Sequence, residues 1–173
     1  MIKIACTIKA IFIIKKRIYK QKRSNLVMGV ELTWQSNLEF SATDKLDGHA
    51  VQLDAGHAIS GTHNGQTPVE VLLSSLGGCM GISLMTTLRN YETAVESLTL
   101  ELEAHKADNL PNRIESIDLV VHIVTDIPKN RIERALQLSH DKYCTISNTI
   151  NADIQITLIY NGEAIERRET DNE

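Results

Sequence analysis

Apolar and polar positions alternate along most of this chain with a period of two, interrupted twice by longer stretches with helical spacing. Residues 29–40, GVELTWQSNLEF, read as a strand, a turn at Ser36-Asn37 and a second strand. Residues 48–54, GHAVQLD, read as another short strand after an Asp47-Gly48 turn. Residues 55–67 hold three glycines and no period, which predicts a loop. Thr67-Pro68-Val69-Glu70 then combines an N-cap residue, a first-turn proline and an acid three positions after the cap, the pattern of a capping box. A helix is predicted from Pro68 to about Tyr91, with Val71, Leu72, Leu76, Met80, Leu84 and Leu88 recurring at helical spacing.

Residues 97–104, SLTLELEA, alternate strictly and predict a strand. Ile114 to Thr125 predicts another, with Ile117, Leu119, Val121 and Ile123 on one face, joined to the first by a hairpin loop around Asn109–Asn112. A second helix is expected from near Pro128 to about Cys144, with Ile132, Ala135, Leu136 and Tyr143 on its apolar side. A short turn near 147–151 leads to a last strand, Ala152–Tyr160, in which Ile154, Ile156 and Leu158 alternate. The polar tail from Asn161 is expected to fray. The order βββ-α-ββ-α-β predicts an α+β fold with antiparallel sheet packed on two helices.

Charge divides the chain. Residues 1–27 hold eight of its 18 basic residues and no acid. The remainder therefore has 10 basic against 22 acidic residues, a net of −12. Such a body repels nucleic acid and anionic lipid, and aromatic residues at 4% are too few for base-stacking platforms. No run of consecutive apolar residues approaches the ~20 that a spanning helix needs. The basic arm lacks the continuous apolar region and small-residue cleavage site of a secretory signal. Its first reading is a start mis-assigned upstream of Met28, because codons for Lys22-Arg23-Ser24 can form a purine-rich ribosome-binding stretch. The others are a disordered arm and a basic amphipathic membrane helix. The domain is expected over residues 28–165, with a polar tail at 166–173. Three cysteines suit a reducing compartment, so a cytoplasmic location is expected. Cys6 is given no role.

The first helix has an unusual centre, Ser74-Ser75-Leu76-Gly77-Gly78-Cys79-Met80-Gly81. Each glycine costs a helix about 1 kcal/mol relative to alanine. Glycines persist there when something must approach the backbone, either a packed element or a substrate reaching Cys79. Cys79 reads equally as a small buried hydrophobe, and Glu70 as a capping acid. The second helix ends in Tyr143-Cys144-Thr145-Ile146-Ser147-Asn148. Cys79 and Cys144 lie 65 positions apart and meet only if their helices pack together. Other chemistries are weaker. His57 and His63 lack the companions of a zinc site, Gly77-Gly78 follows helix rather than strand, and Cys79 with His140 and Asp141 lacks an identifiable oxyanion hole.

The stretch TPVEVLLSSLGGCM, followed much later by YCTISN, resembles the OsmC/Ohr family of thiol-dependent hydroperoxide reductases. The resemblance runs through nearly all of 29–160. It implies an intertwined homodimer, with antiparallel sheets wrapped around two central helices and an active site at the dimer interface. It implies two cysteines and no metal, haem, flavin or other cofactor. Residue by residue, Cys79 matches the peroxidatic cysteine and Cys144 the resolving cysteine, and Glu70 stands one step from the family's acid, in a P-x-E form. Organic hydroperoxides are the implied substrates and an external dithiol the implied reductant. The chain has no Arg between Met28 and Thr87. A buried Cys79 without a cation is therefore expected to have a raised pKa, unless Lys45, His49, His57 or His63 substitutes; each reads first as a surface residue. The alternative within the same fold is a non-catalytic dimer that binds a small hydrophobic ligand or senses redox state.

Overall fold

A computed structural model describes residues 28–56, 59 and 61–165. The basic arm, His57 and the tail 166–173 lie outside the described residues. The chain forms two compact units that meet in sequence at Thr67/Pro68.

The first unit is a three-stranded antiparallel sheet of β1 (Val30–Ser36), β2 (Glu39–Asp44) and β3 (Ala50–Leu53), in that order. The β1–β2 turn places Asn37 at φ 43°, a left-handed conformation that Asn tolerates. Asp44 holds the next turn by accepting the Leu46, Asp47 and His49 amides at 2.8, 2.7 and 2.6 Å. Asp54 does the same for the loop beyond β3, accepting from the Ala55 and Asn64 amides and the Thr62 hydroxyl. The alternation in β1 creates an apolar face of Val30, Leu32 and Trp34, and this face is exposed.

The second unit begins with α1 (Pro68–Thr87), starting where the capping pattern predicts it. It ends four residues earlier than expected, passing into a 3-10 turn over Arg89–Ala94. Two long strands follow, β4 (Val95–Lys106) and β5 (Ile114–Thr125), then α2 (Lys129–Leu138), β6 (Asp153–Tyr160) and β7 (Glu163–Ile165). The sheet order is β4-β5-β6-β7. The architecture is α+β, as the alternation predicted.

Two features differ from the sequence reading. The sheets are not wholly antiparallel: β5 and β6 pair in parallel, with Ser116 opposite Asp153 and Ile123 opposite Tyr160. A helix between two strands of one sheet carries the chain back to its starting edge, and parallel pairing is the consequence. The segment after Asn161 is not all frayed tail. Asn161 and Gly162, at φ 50° and 88°, make the tight turn that their side chains favour, and β7 pairs with β6.

The core lies between this sheet and the helices. Leu76, Met80, Leu84 and Leu88 form one buried stripe of α1 and its continuation, against Ile117, Leu119, Val121 and Ile123 of β5 and Ile132, Ala135 and Leu136 of α2. By length and composition α1 is apolar enough to cross a membrane, although it holds no unbroken apolar run of that length. Serines and glycines interrupt its apolar runs and hide this in a residue-by-residue reading. Its buried stripe packs on the sheet, as in a core helix.

Candidate active site

Cys79 lies in the middle of α1, half-buried, against the core that contains Cys144. Gly77 explains the close seating of the helix: a Cβ there would come within 2.8 Å of Leu102 Cδ1 on β4. Packing of the helix on the sheet therefore accounts for Gly77. At Gly78 a Cβ would meet nothing within 4 Å, so among the described residues no element demands that glycine. Ser83 stands one turn after Cys79, on the same side of the helix.

Cys144 is fully buried at the end of the second helical segment. That segment does not run as one helix to Cys144. Beyond Leu138 it widens into a π turn over Ser139–Tyr143, closed by the Cys144 amide donating to the Ser139 carbonyl at 2.8 Å. The wide turn delays the chain's return to the inner face by about one residue. Cys144 takes the inner position and Tyr143, expected on the apolar side, is 58% exposed.

The chain then turns sharply over residues 145–149. The Ser147 amide donates to Cys144 Sγ at 3.3 Å. The Asn148 side-chain amide directs its two hydrogens at the carbonyls of His140 and Cys144, each at 2.9 Å, with Ser147 Oγ farther off at 3.4 Å. The Ser147 hydroxyl lies 3.1 and 3.0 Å from the same two oxygens.

These neighbours make the two thiols unequal. Partial burial works to raise the Cys79 pKa. The Cys144 thiol, the Ile146 and Thr145 amides and the Ser83 hydroxyl outweigh it, and the Cys79 thiol lies below its ordinary value. Burial pushes the Cys144 thiol up, and the neighbouring Cys79 adds to the rise against the opposing effect of Ser147. The two directions favour Cys79 over Cys144 as the thiol that ionises first. This corrects the expectation of a raised Cys79 pKa: that reasoning looked for a cationic side chain, whereas backbone amides and hydroxyls act on the sulfur here.

The structure brings Cys79 and Cys144 together and does not bring Glu70 to them along α1. Glu70 is exposed in the first helical turn, nine residues or about 13 Å along the axis from Cys79. Lys45, His49 and His63 are exposed residues of the first unit. Among the described residues no group of three or more His, Cys, Asp or Glu side chains is placed to hold a metal. Sequence reasoning missed Ser83, and it quoted Ser147 and Asn148 within the YCTISN motif without giving either a role. The four-residue spacing from Cys79 pointed to Ser83, whereas the contacts of Ser147 and Asn148 depend on the π turn, which leaves no local signature.

The chain matches the OsmC-like protein family over residues 61–159. It is 27% identical over 135 residues to Protein YhfA of Escherichia coli K12, covering 77% of this chain and 96% of that one. Its fold is similar to that of a hypothetical protein from Aquifex aeolicus, with TM-score 0.66 and 24% identity over 78% of this chain and 96% of the other. An OsmC-like protein from Mycoplasma pneumoniae superposes with TM-score 0.67 and 15% identity, at 78% and 96% coverage. An organic hydroperoxide resistance protein OsmC from Legionella pneumophila gives TM-score 0.61 and 15% identity, at 76% and 96% coverage. With more than half of its length matched, the chain belongs to the OsmC-like family.

Proposed function

We propose that the protein is a thiol-dependent peroxidase that reduces organic hydroperoxides, with Cys79 as the attacking thiol and Cys144 as the resolving thiol. The observation that carries this reading is the placement of the two thiols: Cys79, half-buried on α1, packs against the core that holds the fully buried Cys144, and the directions of their shifts, down for Cys79 and up for Cys144, agree with it. A thiolate is the nucleophile in both steps of such chemistry, so Cys79 is the better first attacker and Cys144 gives up its proton as it attacks the sulfenic sulfur.

The Cys79 thiolate attacks the terminal oxygen of the hydroperoxide. The S–O bond forms as the O–O bond breaks; the alkoxide leaves and takes a proton to become the alcohol. Cys79 is now a sulfenic acid. The Cys144 sulfur attacks the Cys79 sulfur, its proton and the sulfenic hydroxyl depart as water, and a disulfide joins the two. An external dithiol restores both thiols by exchange and is itself oxidised to a disulfide. The apolar core against which Cys79 packs favours organic over hydrogen peroxide. No cofactor is required. Glu70 belongs to this reading as a candidate acid one step from the position of the family's acid, outside the thiol pair of one chain. A homodimer is part of it, supported by the exposed Val30–Leu32–Trp34 face of β1. Two free thiols suit the reducing cytoplasm.

Titration with cumene hydroperoxide and counting of free thiols tests the reading. The expected result is rapid loss of two thiols per chain, abolished by Cys79→Ser. In Cys144→Ser a sulfenic acid should persist on Cys79, detectable by dimedone. Thiol loss no faster than that of free cysteine overturns the reading and leaves the non-catalytic, ligand-binding or redox-sensing alternative.

A further inference from the structure

The turn after Cys144 is held more firmly than its length requires. Within five residues, one side-chain amide and one hydroxyl converge on two carbonyls, those of His140 and Cys144, at 2.9 to 3.1 Å. His140 lies inside the π turn and Cys144 ends it, so these bonds tie the turn back to the helical segment that precedes it. The Ser147 amide, fixed by the same arrangement, points at Cys144 Sγ. At the other end of the π turn the buried Ser139 hydroxyl is occupied with the Ala135 carbonyl at 2.8 Å, and the Thr149 hydroxyl bonds Thr145 within the 145–149 turn at 2.7 Å, so the side chains that tie this turn back to the π turn are Ser147 and Asn148.

We propose that Ser147 and Asn148 are positioning residues for the thiol pair, which set the backbone amides of the 144–148 turn against the two sulfurs in place of a cationic side chain. The inference rests on the reading of Cys79 as the attacking thiol and adds to it the device that favours the ionised form of this thiol. Three consecutive amides take part: Thr145 and Ile146 act on Cys79 and Ser147 on Cys144. Amides oriented before the reaction cost no reorganisation when charge gathers on sulfur. Free rotation of the turn would scatter them, and partial burial of Cys79 would then dominate and raise its pKa.

The test reads the thiol without peroxide. Alkylation of Cys79 by iodoacetamide is followed against pH in the full chain, with the site resolved by peptide mass spectrometry. Asn148→Ala and Ser147→Ala are each expected to move the midpoint up by about one pH unit. Near neutral pH such a shift lowers the thiolate fraction about tenfold. The more basic thiolate is about threefold more nucleophilic, so the rate falls roughly threefold. Ser147→Thr keeps the hydroxyl and should keep the wild-type midpoint. Unchanged midpoints in both alanine variants, with the fold intact by circular dichroism, overturn the proposal. So does a midpoint in Ser147→Thr that shifts as far as in Ser147→Ala. Should Asn148→Ala not fold, the Ser147→Ala and Ser147→Thr pair decides alone. The two readings fail separately. A wild-type protein that consumes no hydroperoxide but shows these shifts loses the peroxidase and keeps the positioning device. An active wild type whose variants keep its pH profile loses the device alone.

Discussion

Two identical side chains become an unequal pair through their neighbours, and a neighbour acts on one histidine of this fold in the same way. His105 on β4 and Asp118 on β5 face each other across the sheet, Nε2 to Oδ2 at 2.8 Å, each about half exposed. The Asp118 hydrogen bond and charge raise the His105 pKa above its ordinary value. The folded state therefore binds the proton more tightly than the unfolded chain. Its contribution to stability is complete below the ordinary histidine value and is lost as pH rises through the raised folded value. Exposure and salt keep the effect small. Asp118→Asn should lower the melting temperature more at pH 5 than at pH 9, and NMR titration of the His105 ring should fall back to its ordinary midpoint. An equal loss at both pH values would remove the ion pair as the cause. Residues of this kind were only partly legible in the sequence. Cys79 and Cys144 were visible as candidates from their surroundings, but their proximity spans 65 positions and depends on how two helical segments pack.

Whole elements were more legible where one physical signal ruled. Strand β5 begins and ends where the alternation of Ile117, Leu119, Val121 and Ile123 predicts, because one face of it packs on the core along its whole length. The start of α1 was equally clear from its cap and proline. What the pattern missed are places where the ladder changes type: the 3-10 turn after Thr87, the π turn before Cys144 and the β6–β7 hairpin. Asn161-Gly162 did signal that hairpin, but polar composition around it suggested a frayed end. Helix α1 itself permits a sharp test, since its glycines are not equivalent. Gly78→Ala meets open space and should stabilise the protein by about 0.5–1 kcal/mol through helix propensity. Gly77→Ala gains the same propensity but drives a methyl to within 2.8 Å of Leu102 Cδ1. Overpacking of that kind costs about 1–3 kcal/mol, so the net change should be neutral to about 2 kcal/mol destabilising. Denaturant unfolding of the two variants checks the order. A Gly78→Ala variant less stable than Gly77→Ala would mean that something outside the described chain rests on Gly78.

For the whole molecule the informative feature is the apolar surface left uncovered. Val30, Leu32 and Trp34, on one face of β1, are 56%, 59% and 62% exposed, and Ile82 on α1 is 71% exposed. Isolated exposed apolar residues are ordinary, but a strand that alternates as though half-buried and then exposes its apolar face lacks a covering surface. Completing the burial of such side chains is worth about 1.5–3 kcal/mol each if they begin fully exposed. Three of them starting a little over half exposed gain only a few kcal/mol, while association costs at least about 4 kcal/mol. The face of β1 is thus too small to hold two copies together by itself, and a stable homodimer needs apolar surface from the second unit as well. Two variants separate these contributions. Sedimentation of the wild type should give twice the chain mass of 19.3 kDa. Trp34→Asp and Ile82→Asp should each shift the equilibrium toward monomer, and the double variant should be monomeric at micromolar concentration. A monomeric wild type, or variants that remain dimeric, would assign the exposed face of β1 to another partner and remove the homodimer from the proposed function.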